Sequence, residues 1–288
     1  MATGDIVDEH LIENLFELRS GHMNAVVFAS GSGTNFREAV LESRKPGSNY
    51  SIDLLITDKE HDKGEDQPIG AIQYGRRFEI PIITVDGFQY CGSWQEAKKT
   101  ITGREEYERR ADILNQKFYN MLTEYEREHD VVFDLAILAG YMRFFKGALL
   151  KRFYRRGVNV HPAKLYEFNA VGKRKYRGEK AVIDALDAGE KKTRSSIILI
   201  DEGNDEGPIL VSGPWIEYTG NRPVTTGDAE QQQGEQKKAS DWPALRFALR
   251  EIANGNFGLH KRKFHHDGNP VVVYKGIEMP YQGYDMDG

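Results

Sequence analysis

Along this chain, apolar and polar residues fall into blocks whose spacing switches repeatedly between strand-like and helix-like. Residues 24–29 (NAVVFA) form a short, nearly unbroken apolar run, the pattern of a parallel strand buried on both faces. The run stops at Ser30-Gly31-Ser32-Gly33-Thr34-Asn35, and Phe36, Ala39, Val40 and Leu41 then recur at helical spacing. Strand, glycine turn and helix together open a βαβ unit. The same reading predicts strands at 52–56, 80–85, 133–139 and 158–161, and helices near 68–78, at 105–129 and through Leu149, Leu150 and Phe153. Periodicity is clearest at 105–129, where Tyr107, Ala111, Leu114, Phe118, Met121, Leu122 and Tyr125 are spaced mostly by threes and fours.

Further along, Ala181, Val182, Ala185 and Leu186 predict a helix that Gly189 ends. Residues 195–200 and 208–211 are β-rich and flank an acidic, glycine-containing loop. Residues 242–253 predict a late helix, and 258–263 with 270–274 flank an Asp267-Gly268 turn, a hairpin signal. Three stretches fit less well. Residues 9–18 have roughly helical apolar spacing and predict a short added helix; 88–103 has no period and reads as a loop insertion. Residues 218–240 are polar and Gln-rich, and read as loop, linker or partly helix. Alternating strands and helices predict an α/β fold: an open, mostly parallel twisted sheet with helices on both faces, plus a C-terminal β-hairpin. The expected layout is an N-terminal extension over 1–22 and a single domain over 23–288, with insertions near 88–103, 166–177 and 218–240.

Composition narrows the function classes. The 288 residues are 39% hydrophobic and 29% charged, with a net charge of −5, enough for a sizeable core and no global attraction to nucleic acid or anionic membrane. One cysteine, Cys91, excludes an internal disulfide and a thiolate metal cluster. The N-terminus is acidic, and no apolar run approaches the ~20 residues that span a bilayer. A soluble, cytoplasmic protein is the expectation.

Three stretches could carry chemistry. The turn at 31–35 lies where unpaired helix amides and the helix dipole favour an anion. Phe36 stands where a dinucleotide fingerprint needs its third glycine, and the P-loop ending is missing. The turn therefore suits a single phosphate, or is only a tight connection. Asn159 and His161 lie two apart before Pro162, so on a strand both project from one face near its carboxyl end. An amide beside an imidazole can stabilise an oxyanion and move protons, or can be a hydrogen-bonded core pair. In the loop 201–208, Gly207-Pro208 restarts a strand and holds Asp205 near a structured edge. A carboxylate there would favour the imidazolium if the two met; otherwise the loop is merely solvated. The basic stretch 173–177 reads more simply as a solvated loop than as a polyanion site. The remaining histidines show no metal-ligand spacing, and no metal is expected.

Five stretches, Ser30 to Asn35, Asp134-Leu135-Ala136-Ile137-Leu138-Ala139-Gly140-Tyr141-Met142-Arg143, Asn159-Val160-His161-Pro162, Asp205-Glu206-Gly207-Pro208 and Pro280-Tyr281-Gln282-Gly283, follow one another in the order of the folate-dependent formyltransferases of the phosphoribosylglycinamide type, which the chain resembles from about Met23 to Tyr284. The resemblance implies a formyltransferase-type Rossmann-like fold and transfer of a formyl group from 10-formyltetrahydrofolate to a phosphorylated amine. It implies Asn159, His161 and Asp205 as catalytic residues and Gly33, Thr34 and Asn35 as the holders of the substrate phosphate. Met142, Arg143 and Phe145, with the Asp201 and Asp205 backbone, would line a folate pocket. The small-molecule amine is the expected partner, with no nucleic acid or membrane. The chain departs from the family pattern at Ala163-Lys164-Leu165-Tyr166, in an insertion around 168–175, at Ile198 where the family has a histidine, and near Lys238 where it has a glutamate. These changes bear on the acceptor, which the resemblance implies to be glycinamide ribonucleotide; the alternatives are a different phosphorylated amine, hydrolysis of formyl-folate, or a folate or nucleotide sensor without turnover.

Overall fold

A computed structural model describes residues 4–17, 21–59, 70–203 and 205–288. It divides into two compact units, Met23–Gly157 and Met1–His22 with Val158–Gly288. The predicted helix over 9–18 is instead a three-residue 3-10 turn, Glu9–Leu11, followed by strand β1 (Ile12–Asn14); residues 18–20 lie outside the described residues. Strand β1 pairs antiparallel with residues 258–260 near the C-terminus, and Leu15 and Phe16 are buried beside it. Apolar spacing alone could not foresee a partner strand some 250 positions away in sequence, and pairing to it overrides local propensity.

The unit Met23–Gly157 follows the βαβ expectation. Strand β2 (Met23–Phe28) is almost wholly buried and leads through the glycine turn into α1 (Thr34–Ser43). Next come β3 (Tyr50–Thr57), α2 (Ala71–Arg77) and β4 (Ile82–Thr84). The expected loop insertion at 88–103 is helical: α3 (Gly87–Cys91) and α4 (Trp94–Ala97) precede α5 (Ile101–His129). Asp86, Ser93 and Thr100 each accept a hydrogen bond from the first turn of the following helix, which satisfies amides that would otherwise be unpaired. Helices of four or five residues are too short to show a 3.6-residue period, which is why the pattern read as a loop. The unit closes with β5 (Leu135–Leu138) and α6 (Gly147–Arg152). Its strands run β5-β2-β3-β4 and every pair is parallel. Phe28 of β2 meets Phe118 of α5, Tyr141 and Phe145 edge-on.

In the other unit, β6 (Gly157–His161) precedes α7 (Ala181–Asp187), β7 (Lys192–Thr193), β8 (Ser196–Leu199), β9 (Ile209–Ser212) and β10 (Ile216–Glu217). The polar stretch at 218–240 is largely helix α8 (Thr226–Gln236), continued through a π-helical turn at Lys237–Asp241 into α9 (Trp242–Ala253). A reciprocal capping box between Thr225 and Asp228 starts α8. Its buried glutamines explain the misleading composition: Gln232 Nε2 donates to Thr193 Oγ1 at 2.9 Å and to the Ile216 carbonyl at 3.2 Å. Helix α9 packs its apolar face on β8 and β9. The predicted hairpin is β11 (Phe257–Phe264) with β12 (Pro270–Tyr274), followed by β13 (Ile277–Glu278) and β14 (Tyr284–Asp285).

Strand β8 is antiparallel to both β6 and β9, whereas β9 and β14 are parallel. The α/β class with a mostly parallel sheet therefore holds, with β8 as the exception. Between β8 and β9 the chain reverses through Gly207, where an added Cβ would lie 2.0 Å from the Leu199 carbonyl oxygen. Gly207→Ala should destabilise the protein by about 1–3 kcal/mol, read as a lowered urea midpoint with an unchanged slope.

Candidate active site

Strand β6 sets the first two functional side chains. Asn159 is half-buried, His161 is 3% exposed, and the residues opposite them on β8 are Ile198 and Ser196. The third arrives from the β8–β9 connection. Asp205 has φ +57°, a left-handed conformation that costs a residue with a side chain about 1–2 kcal/mol. That geometry delivers its carboxylate to the β6 pair. Asn159 Nδ2 donates to Asp205 Oδ1 at 3.2 Å, and His161 Nδ1 lies 3.4 Å from the same oxygen. Amide, imidazole and carboxylate, whose meeting spacing alone left open, therefore come together within one unit.

The stretch 166–178, read from sequence as an insertion with a solvated basic loop, is a strap over this trio. It forms a small hairpin closed by the Phe168–Arg174 bridge and by hydrogen bonds from Asn169 N–H to the Lys173 carbonyl and from Lys175 N–H to the Glu167 carbonyl. Lys173 and Lys175 are exposed as expected, but Arg174 is 4% exposed. The strap's Tyr176 carbonyl accepts from His161 Nε2 at 2.7 Å, and Gly178 N–H donates to Asp205 Oδ2 at 3.0 Å. No pattern in the sequence flags these contacts, because two of the groups are main-chain atoms.

The arrangement also bears on protonation. A carbonyl oxygen and an ionised carboxylate only accept hydrogen bonds, and the two ring nitrogens of His161 face one each. Either ring nitrogen therefore finds an acceptor when it carries a proton. Burial by itself would raise the Asp205 carboxyl, but the His161 charge and hydrogen bond, the Gly178 amide and the Arg177 charge outweigh it and hold the group at about 2.

The glycine turn lies in the other unit. Gly33 caps α1 with φ +68°, and a Cβ there would come within 2.5 Å of Ala71 Cα, so the close approach admits only glycine. Thr34 and Asn35 begin the helix. Asn35 Oδ1 is buried without a hydrogen-bond partner, and because amide oxygen and nitrogen positions are assignments, either donor or acceptor can be presented there. Met142 is 53% exposed and its N–H donates to Ser30 Oγ at 2.8 Å. The Arg143 guanidinium donates to Asp58, the Gly92 carbonyl and the Tyr107 hydroxyl, while Phe145 is buried against Phe28 and Phe153. Asp201 accepts from Gly203 N–H at 2.9 Å. Lys238 is exposed.

A family model described as formyl transferase matches residues 23–214. The chain belongs to that family. The family's match spans the glycine turn, the trio and the strap alike. Among curated proteins, the phosphoribosylglycinamide formyltransferase of Mycobacterium tuberculosis is 37% identical over 120 residues, covering 42% of this chain and 49% of that one. The trifunctional purine biosynthetic protein adenosine-3 of Homo sapiens is 23% identical over 256 residues, 89% of this chain and 21% of the longer protein. The chain thus spans about half or less of these two relatives. A solved phosphoribosylglycinamide formyltransferase from Coxiella burnetii shares the fold: TM-score 0.60 at 19% identity, covering 92% of this chain and 99% of that chain. Among the described residues no helix is long and apolar enough to cross a membrane.

The depressed Asp205 carboxyl has a consequence for acid stability. Its folded value of about 2 lies below the ordinary 3.8, so its stabilising contribution is complete above that ordinary value and disappears as pH falls through about 2. Asp205→Asn removes the contribution. The difference in unfolding free energy between wild type and variant should shrink by about 2 kcal/mol from pH 5 to pH 2, as measured by urea titrations across that range.

Proposed function

We propose that this protein transfers a formyl group from 10-formyltetrahydrofolate to the primary amine of glycinamide ribonucleotide. The observation that supports this most is the meeting of Asn159, His161 and Asp205, within 3.2–3.4 Å of a shared carboxylate oxygen, in a member of the formyl transferase family. The folate supplies a formyl carbon bound to nitrogen. Asn159 has a second amide hydrogen free of Asp205 to donate to the oxygen that becomes negative when the amine adds to that carbon. His161 holds its Nε2 proton against the Tyr176 carbonyl, so it can serve the same oxygen once that carbonyl gives way. Asp205 orients the ring and is the carboxylate beside the His161–Asn159 pair that takes the proton leaving the amine. That proton passes to the departing folate nitrogen as its bond to carbon breaks, leaving tetrahydrofolate and the formylated amine.

Gly33, Thr34 and Asn35 are the phosphate holders in this reading, supported by the α1 amides and by Asn35 Oδ1, which is buried without a hydrogen-bond partner among the described residues. The folate contacts expected at Met142, Arg143 and Phe145 and at Asp201 and Asp205 belong to the same reading. In this chain Arg143 is committed to Asp58 and Tyr107, so its part in binding is to shape the loop rather than to offer a free guanidinium.

Purified protein given 10-formyltetrahydrofolate should release tetrahydrofolate only when an amine is added, and fastest with glycinamide ribonucleotide within a panel of phosphorylated and unphosphorylated amines. Formate released with no amine present would instead make it a hydrolase, and a faster acceptor in the panel would replace glycinamide ribonucleotide. In the same assay Asn159→Ala should lower kcat by roughly 100- to 1000-fold; a variant within a few-fold of wild type would remove Asn159 from the reaction.

A further inference from the structure

Asp205 occupies a left-handed conformation at φ +57°, and its carboxylate reaches His161 and Asn159 only from there. Strained backbone of this kind persists where its surroundings over-determine it. On the side-chain end the restraints are the Gly178 amide, Asn159 and His161. At the main-chain end, among the described residues, Arg174 Nη1 donates to the Asp205 carbonyl at 2.9 Å. The rest of that guanidinium is committed as well. Nε and Nη2 donate to the Tyr281 hydroxyl at 3.0 and 2.7 Å, and Nη2 lies 3.6 Å from Asp267. The Tyr281 hydroxyl in turn donates to Asp267, and Asn269 Nδ2 donates to the neighbouring Glu206 carbonyl at 2.7 Å. The hairpin connection and the strap thus grip the acidic loop together, with Arg174 as the hinge-pin between them.

We propose that Arg174 is a positioning residue for the reaction: it pins the Asp205 main chain and thereby keeps the carboxylate on His161 and Asn159. Arg174 contacts neither of those two side chains, so its effect passes through Asp205. A lysine cannot replace it, because one ammonium lacks the planar fork that serves the Asp205 carbonyl and the Tyr281 hydroxyl at once.

The kinetic arm of the test rests on the formyl-transfer reading; the spectroscopic arm does not. Arg174→Met should lower kcat roughly 10- to 100-fold with KM for both substrates within about two-fold, and Arg174→Lys should recover little. In an Asp205→Asn background the same Arg174→Met change should cost less than three-fold, since the carboxylate it positions is gone. Independently of turnover, the ring 15N resonances of His161 in Arg174→Met should move away from their wild-type positions. Equal losses in the two backgrounds, or His161 signals identical to wild type, would overturn the proposal. If wild-type protein transfers no formyl group, the function reading fails, while the ring resonances still decide the role of Arg174. Should Arg174→Met not fold, Tyr281→Phe decides: the guanidinium loses one anchor, so the His161 signals should shift in a folded protein, and unchanged signals would refute the idea.

Discussion

The structure of the site depends on one part-buried negative charge, the Asp205 carboxylate, whose side chain is 13% exposed. A carboxylate removed from water is tolerated only where opposite charge and hydrogen-bond donors replace its hydration. Asp205 meets that condition through the His161 ring, the Asn159 amide and the Gly178 N–H. The partners come from two parts of the chain: β6 supplies two and the strap supplies the third. Their joint requirement explains local features that otherwise look costly, among them the left-handed backbone at Asp205 and the tight reversal at Gly207.

The strap is held in place by contacts of its own. Lys164 at its root lies between Glu167 and Glu190, 2.9 Å from the latter, and the Tyr176 hydroxyl donates to the same Glu190 at 3.0 Å. Those anchors hold the Tyr176 carbonyl over His161. On β8, opposite Asn159, Ile198 packs with Leu165 and Ile209 and against Tyr166 and Tyr281.

The unit that carries the glycine turn uses charge differently. Its buried pair, Arg143 with Asp58 at 2.8 Å, joins the loop after β5 to the end of β3, and Tyr107 and the Gly92 carbonyl complete the guanidinium's hydrogen bonds. An arginine bonded through Nε and Nη1 ties the loop to its neighbours, with the Met142 side chain exposed and Phe145 buried.

Much of this was legible in residue order because it depends on short-range periodicity. The β2–turn–α1 start, the long α5 helix, α9 and the terminal hairpin follow from apolar spacing and from glycines whose conformations side chains resist. Asn159 and His161 could be placed on one face because a strand alternates, and Asp205 could be singled out because Gly207-Pro208 ends its loop. What the sequence could not contain was pairing over distance. The β1 segment has helical spacing yet lies against β11, and the glutamines of α8 look like linker until Thr193 and the Ile216 carbonyl are beside them. Arg174 sits among basic residues that are solvated, and only its contacts with Asp205 and Tyr281 set it apart. Local spacing determined which elements form and which chemical groups they carry; the tertiary structure alone decided which groups meet, because hydrogen bonds to backbone atoms leave no mark on side-chain identity.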